Sequence, residues 1–134
     1  MSAISGLAEI VLWVHDLDRS LSFYRDGLGL KLISPPGMQG RAFLQAGEQG
    51  EGFPQQIVLV QMAAGAPPFS TDKTDLNLHH LGLVFSPGTF ESERQRRQAL
   101  GMEVRYGEHP LLPIRSLYID DPDGNEVELA SMTG

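Results

Sequence analysis

The segment SLYIDDPDGNEVEL, residues 116–129, has the pattern of two β-strands joined by a tight turn. Asp121 is followed by Pro122 and, two residues later, by Gly124, an arrangement that favours a type I turn. The flanking residues are apolar at alternate or consecutive positions, which predicts strands over 115–119 and 126–130. This hairpin closes the predicted fold, and the elements that precede it can be placed by working back from it.

The residues before the hairpin predict a strand, a helix and another strand. Residues 79–85, HHLGLVF, have the length and the apolar content of a strand. Ser86 and Pro87 are favoured at the N-cap and at the first helical position, so we expect a helix from there to about Leu100, ended by a glycine. Residues 102–106 form the next predicted strand.

The first half of the chain has the same order of elements. Asp16 is the predicted N-cap of a helix that ends at Gly29. The segment LGLKL at 28–32 recurs 72 residues later as LGMEV at 100–104. The remaining predicted elements of this half are strands over 8–14, 30–34, 41–46 and 56–62 and a loop over 47–54.

This repeat predicts the fold class and the domain organisation. We expect a single α+β domain over residues 1–134, in which two βαβββ modules form a cupped mixed β-sheet. The predicted parts are module one at 7–62, a linker at 63–76 and module two at 77–131. The aromatic residues Trp13 and Tyr106 are expected either to line the cup or to fill the core, and the core is the default for most such residues.

Composition excludes several classes of function. The chain has 10 basic and 17 acidic residues, a net charge of −7, and such a protein is repelled by nucleic acids and anionic membranes. It has no cysteine, which excludes disulfides and cysteine nucleophiles. The apolar run at 10–14 is too short to span a membrane, and the first residues do not have a signal-peptide pattern. We expect a cytoplasmic protein whose partner is a small molecule, with no nucleic-acid or membrane partner.

Three stretches of the chain resemble the vicinal oxygen chelate superfamily, which includes glyoxalase I, extradiol dioxygenases and bleomycin-binding resistance proteins. They are VHDLDRSLSFYRDGLGL at 14–30, HLGLVF at 80–85 and the hairpin at 116–129. The resemblance extends from about Leu7 to Leu129. It implies the glyoxalase/bleomycin resistance/dioxygenase-like fold, a homodimer, and a divalent metal ion (Zn, Mn, Ni, Co or Fe) in the sheet's concave face.

The resemblance also implies which residues hold the metal ion. Glu9, His80 and Glu128 fall on three of the family's ligand positions, and the first two lie 71 residues apart, close to the repeat offset. Each has a structural alternative: a surface carboxylate at Glu9, a hydrogen-bonded core residue at His80, and a solvent-facing carboxylate at Glu128. His79 is expected on the opposite face of the strand from His80.

The fourth ligand position departs from the family pattern. It falls on Ile57, whose side chain cannot bind a metal. Gln56 and Gln61 are the nearest residues with suitable oxygen atoms. Three protein ligands and water also suit a catalytic metal.

These residues predict a metal-dependent enzyme of the glyoxalase or dioxygenase type, with lyase or isomerase chemistry on a small substrate that carries vicinal oxygens. Glu9 or Glu128 would move a proton next to a carbonyl group. An extradiol dioxygenase is an alternative, because Tyr118 stands where those enzymes carry a substrate-binding tyrosine; the other interpretation of Tyr118 is a strand tyrosine that only packs. The other alternative is a metal-free protein that sequesters an aromatic or glycopeptide ligand.

Overall fold

The computed structural model describes the backbone of residues 3–4, 6–50, 53–86 and 88–133, and the side chains within those ranges except at 48–50 and 53. The backbone divides into two compact units, residues 1–68 (unit 1) and 69–134 (unit 2). Each unit contains a four-stranded mixed sheet with helical segments. The predicted α+β class, with a βαβββ module repeated and a cupped mixed sheet in each module, is confirmed.

Unit 1 places four strands in the spatial order β1-β4-β3-β2. Their bounds are β1 Glu9–Val14, β2 Lys31–Leu32, β3 Arg41–Gly50 and β4 Phe53–Gln61. β1 runs parallel to β4, whereas the other neighbouring strands are antiparallel. A parallel pair cannot be joined by a hairpin, so the chain leaves β1 through helix α1, Leu17–Leu21, and a π-helical turn, Ser22–Gly27.

The helical segment of unit 1 begins and ends where its sequence predicts. The carboxylate of Asp16 accepts a hydrogen bond from the backbone N–H of Arg19 at 3.1 Å, as an N-cap residue does. Gly29 has a φ of 86°, a left-handed conformation that favours glycine at a helix end. Tyr24 of the π-helical turn is fully buried and anchors the segment in the core.

Unit 2 repeats the topology with the order β5-β8-β7-β6. The bounds are β5 Leu81–Val84, helix α2 Phe90–Ala99, β6 Arg105–Glu108, β7 Ile114–Asp120 and β8 Glu126–Met132, preceded by a 3-10 turn at Lys73–Asp75. β5 is parallel to β8, as β1 is to β4. The turn between β7 and β8 is held by Asp121, whose carboxylate accepts hydrogen bonds from the backbone N–H groups of Asp123 and Asn125, so turn geometry accounts for the aspartate at this position.

Several predicted boundaries are wrong: the strand predicted over 102–106 is β6 at Arg105–Glu108, and the one predicted over 79–85 begins only at Leu81. Helix α2 begins at Phe90 after an N-cap at Thr89, not at Ser86, and Pro87 lies outside the described residues. The predicted loop over 47–54 is largely strand, because β3 continues to Gly50 and β4 starts at Phe53. Backbone hydrogen bonds extend the β3–β4 ladder through two irregularities in register, where side-chain alternation no longer indicates a strand.

Candidate functional site

Strand β8 exposes two carboxylates on one face of the unit 2 sheet. Its residues alternate, with Val127, Leu129 and Ser131 buried and Glu126 and Glu128 on the other face. The apolar side chains hold the strand in the core, so the backbone beneath the carboxylates is fixed. We call the face that carries Glu126 and Glu128 the polar face of unit 2.

Three predicted site residues of unit 2 meet on this polar face. The Nε2 atom of His80 lies 3.9 Å from Oε2 of Glu128. Tyr118 is the direct cross-strand partner of Glu128, and its hydroxyl lies 3.5 Å from the same carboxylate oxygen. The His80 and Tyr118 rings are also edge-to-face, with centroids 6.2 Å apart.

Tyr118 carries a proton that stays bound at neutral pH. Burial raises the pKa of its phenol, and the negative charge of Glu128 raises that pKa further. The hydroxyl can therefore donate a hydrogen bond to a carboxylate or to an oxygen-rich ligand on the polar face.

Gly107 makes room for the Tyr118 ring. A Cβ atom at position 107 would lie 2.7 Å from Cε2 of Tyr118, closer than real contacts allow. The backbone of Gly107 does not have a positive φ, so space rather than conformation is the reason for glycine here. The position of the Tyr118 hydroxyl therefore depends on a residue of the neighbouring strand.

We expect Gly107→Ala to lower the free energy of unfolding by about 1–3 kcal/mol, because the added methyl group overpacks the Tyr118 ring. Chemical denaturation of the single variant, of Tyr118→Ala and of the double variant measures the coupling. In the Tyr118→Ala background the cost should fall close to zero. An equal cost in both backgrounds would show that the methyl group clashes elsewhere.

His79 lies beside His80 and not on the opposite side. Both residues precede β5, so the alternation of a regular strand does not apply to them. Their Nδ1 atoms are 2.8 Å apart, which leaves Nε2 of His80 facing Glu128. Ligand atoms of His79, His80 and Glu126 all lie within 4.8 Å of one another and form a second possible metal-binding group.

The charges around Glu126 disfavour this second group. Arg105 donates a hydrogen bond to Glu126 at 3.1 Å, and the Lys73 ammonium lies 3.6 Å away. Both cations also pair with Asp120. A metal ion at Glu126 would have to displace or approach two positive side chains, whereas among the described residues Glu128 has no Lys or Arg partner and only His80 lies within ion-pair distance of it. This network could not be predicted from the sequence, because its members are far apart in the chain.

Glu9 belongs to the other unit. It is exposed at the start of edge strand β1, directly opposite Gln56 of β4. In unit 2, His80 stands at the corresponding place, one residue before Leu81, which pairs with Val127. The structure thus brings His80, Glu128 and Tyr118 together in unit 2 and gives Glu9 the equivalent position in unit 1.

The register of unit 1 identifies the residue at the fourth ligand position. Val58 lies two residues beyond Gln56, as Glu128 lies two beyond Glu126, and Val58 is buried. Gln61 is not available as a substitute. Its side-chain oxygen accepts a hydrogen bond from Leu17 N–H at 2.7 Å, and its NH2 group donates to the His15 carbonyl at 2.5 Å.

Other histidine and aromatic side chains have structural or surface positions. The His109 Nδ1 atom accepts hydrogen bonds from the backbone N–H groups of Leu111 and Leu112, so this ring shapes its own loop. Trp13 and Tyr106, expected in the core, are 62% and 58% exposed. Trp13 lies on the same side of β1 as Glu9, because the two residues are four positions apart and side chains alternate along a strand.

The donor set of the polar face fits a divalent cation. Imidazole and carboxylate are the ligands of Zn, Mn, Fe, Ni and Co in proteins. Two ligand atoms that each bind at about 2.1 Å lie about 3–4 Å apart, and the 3.9 Å between His80 Nε2 and Glu128 Oε2 falls in this range.

Comparison with known proteins gives consistent results. A family model described as the Glyoxalase/Bleomycin resistance protein/Dioxygenase superfamily matches residues 6–129. A solved structure of lactoylglutathione lyase from Agrobacterium tumefaciens is similar at 25% identity and TM-score 0.68, covering 97% of this chain and 96% of that one. A glyoxalase/dioxygenase from Nostoc punctiforme is similar in fold at 20% identity and TM-score 0.74, with 100% and 99% covered.

A third similar structure is an integron cassette protein from V. cholerae, at 26% identity and TM-score 0.66, with 98% of both chains covered.

Among the described residues, no helix has the length and apolar character to cross a membrane.

Proposed function

The chain belongs to the Glyoxalase/Bleomycin resistance protein/Dioxygenase superfamily, and from this premise we propose that it is a divalent-metal-dependent enzyme acting on a small substrate with vicinal oxygens. The proposed ligands are His80 and Glu128 of unit 2 together with Glu9 of unit 1. The observation that carries the proposal is the approach of His80 Nε2 and Glu128 Oε2 to 3.9 Å on one sheet face.

A bound divalent cation would supply Lewis-acid polarisation of two neighbouring substrate oxygens. The chain's own residues would then orient the substrate and move its proton. The Tyr118 phenol, which stays protonated, donates a hydrogen bond to a substrate oxygen. A carboxylate, Glu9 or Glu128, accepts the proton next to a carbonyl group, as the lyase or isomerase chemistry of the proposal requires.

Metal analysis of protein purified without a histidine tag tests this proposal. We expect about one divalent ion per chain after dialysis, and its loss in His80→Ala, because a three-ligand site that loses its only imidazole holds a cation weakly. His15→Ala is a matched control, since His15 is outside the polar face of unit 2 and should leave the metal content unchanged. Protein that is folded yet free of metal after incubation with each candidate ion would contradict the proposal.

A metal-free binding protein is the second candidate. Two observations favour it: Val58 is apolar at the position equivalent to Glu128, and Trp13 offers an exposed aromatic surface on the same side of β1 as Glu9. This candidate predicts saturable quenching of Trp13 fluorescence by a flat aromatic ligand, with no dependence on added metal. Trp13 is the chain's only tryptophan, so the signal needs no assignment.

An extradiol-type dioxygenase is less compatible with the ligands. Its iron is held by two histidines and a carboxylate, whereas the proposed set has one histidine. The contact between Tyr118 and Glu128 is its main support. Oxygen consumption with a catechol distinguishes it from an isomerase, which consumes none. The homodimer and the cytoplasmic location stay predictions.

A further inference from the structure

A cavity lies in unit 2, beside helix α2. It has a volume of about 430 Å³ and is lined by Phe90, Glu91, Tyr106, Gly107, Glu108, Arg115 and Ser116. Arg115 stacks on Phe90 of α2, so its side chain is on the side of the sheet that the helix covers. Successive side chains of a strand lie on opposite sides of the sheet, so Ser116 and Tyr118 of β7 are on the side opposite Arg115. The polar face with His80 and Glu128 is this other side.

Two opposite charges stand apart in this α2 cavity. Glu108 and Arg115 are direct cross-strand partners, and such a pair usually forms an ion pair. Among the described residues, however, Glu108 forms no ion pair, and Arg115 pairs only with Glu91, at 3.9 Å. Glu91 already accepts a 2.9 Å hydrogen bond from Arg94.

The reason for this separation is the position of the Arg115 guanidinium. Its Cζ atom lies 4.0 Å from the centre of the Phe90 ring, a cation–π contact that holds the planar group against the helix. The nitrogen edge of the guanidinium has no side-chain hydrogen bond among the described residues, although this edge is suited to binding a carboxylate with two hydrogen bonds.

We propose that the α2 cavity binds a zwitterionic amino acid with an apolar or aromatic side chain. The ligand's carboxylate pairs with Arg115 and its ammonium group with Glu108, so that each charge gains the partner it lacks. Tyr106, which is exposed, offers an aromatic surface to the ligand's side chain. The cavity volume is within the range of small-molecule sites.

Titration of the ¹⁵N-labelled protein with L-phenylalanine, followed by NMR, tests the proposal. We expect saturable shifts of the Gly107, Glu108 and Ser116 amides with a Kd of about 1 mM. Phenethylamine, which has no carboxylate, and 3-phenylpropionate, which has no ammonium group, should each bind about tenfold more weakly, because each loses one charged contact.

Two variants locate the site. Arg115→Lys keeps the charge but loses the planar fork, and Glu108→Gln keeps the shape but loses the charge; each should weaken binding about tenfold. Glu103→Gln changes an exposed carboxylate outside the cavity and should not alter binding. Glu108 is exposed, so its variant is expected to fold normally.

The proposal would be overturned by shifts that do not saturate by about 20 mM, by equal binding of all three probes, or by unchanged affinity in both variants. Shifts confined to His80, Tyr118 and Glu128 would also overturn it, because the ligand would then occupy the polar face. None of these results depends on metal, so they leave the proposed metal-dependent function to its own experiment.

Discussion

Glu128→Gln is expected to weaken divalent-cation binding at least about 100-fold, because the amide keeps the side chain's shape but removes the negative charge that the cation requires. The expected loss exceeds that from changing a residue that only supports a ligand. Isothermal titration with Zn²⁺ or Mn²⁺ against protein stripped of metal gives the affinity. Activity on a vicinal dicarbonyl or hydroxycarbonyl substrate should fall in parallel.

Glu126→Gln is the matched control, since it is the same substitution two residues away on the same face of β8. Arg105 and Lys73 already balance the charge of Glu126, so this variant should change the metal affinity less than about threefold. The reverse result, with Glu126 essential for metal binding and Glu128 dispensable, would show that the metal binds to the group of His79, His80 and Glu126.

Leu117→Ala is expected to have the largest effect on stability, about 2–5 kcal/mol in the free energy of unfolding. Leu117 is fully buried in β7 and lies opposite buried Leu129, so the shorter side chain leaves a cavity between two central strands. Chemical denaturation followed by circular dichroism measures the loss.

Leu111→Ala makes the same substitution in the same unit at a side chain that is 86% exposed. It should change the free energy of unfolding by less than about 0.5 kcal/mol. Similar losses in the two variants would mean that the core of unit 2 is not where the structure places it.

The sequence predicts the order of elements well because buried strands and helix ends carry local signals. Asp16 caps its helix and Gly29 ends it through interactions within a few residues. The start of α2 is mistaken for the same reason: Ser86 and Pro87 carry strong local preferences, but the helix forms only from Phe90, which is buried. Packing of Phe90 is a tertiary effect that the local pattern does not contain.

The candidate site is predictable only in part. The resemblance identifies His80, Glu128 and Tyr118, which meet on one sheet face. The place of His79 beside His80 could not be predicted, because it depends on β5 starting only at Leu81. The hydrogen bonds of the Gln61 side chain with Leu17 and His15 could not be predicted either, because they join residues more than 40 positions apart.

The burial of Val58 at the place equivalent to Glu128 has an evolutionary consequence. The two halves of the chain share a backbone plan, but the central strand of the first half contributes only packing at this place. In a library randomised at both positions and selected for function, survivors should keep aliphatic side chains at Val58 and an acidic one at Glu128. A duplicated ancestor can thus specialise one copy for architecture and the other for reactivity without altering the shape of either.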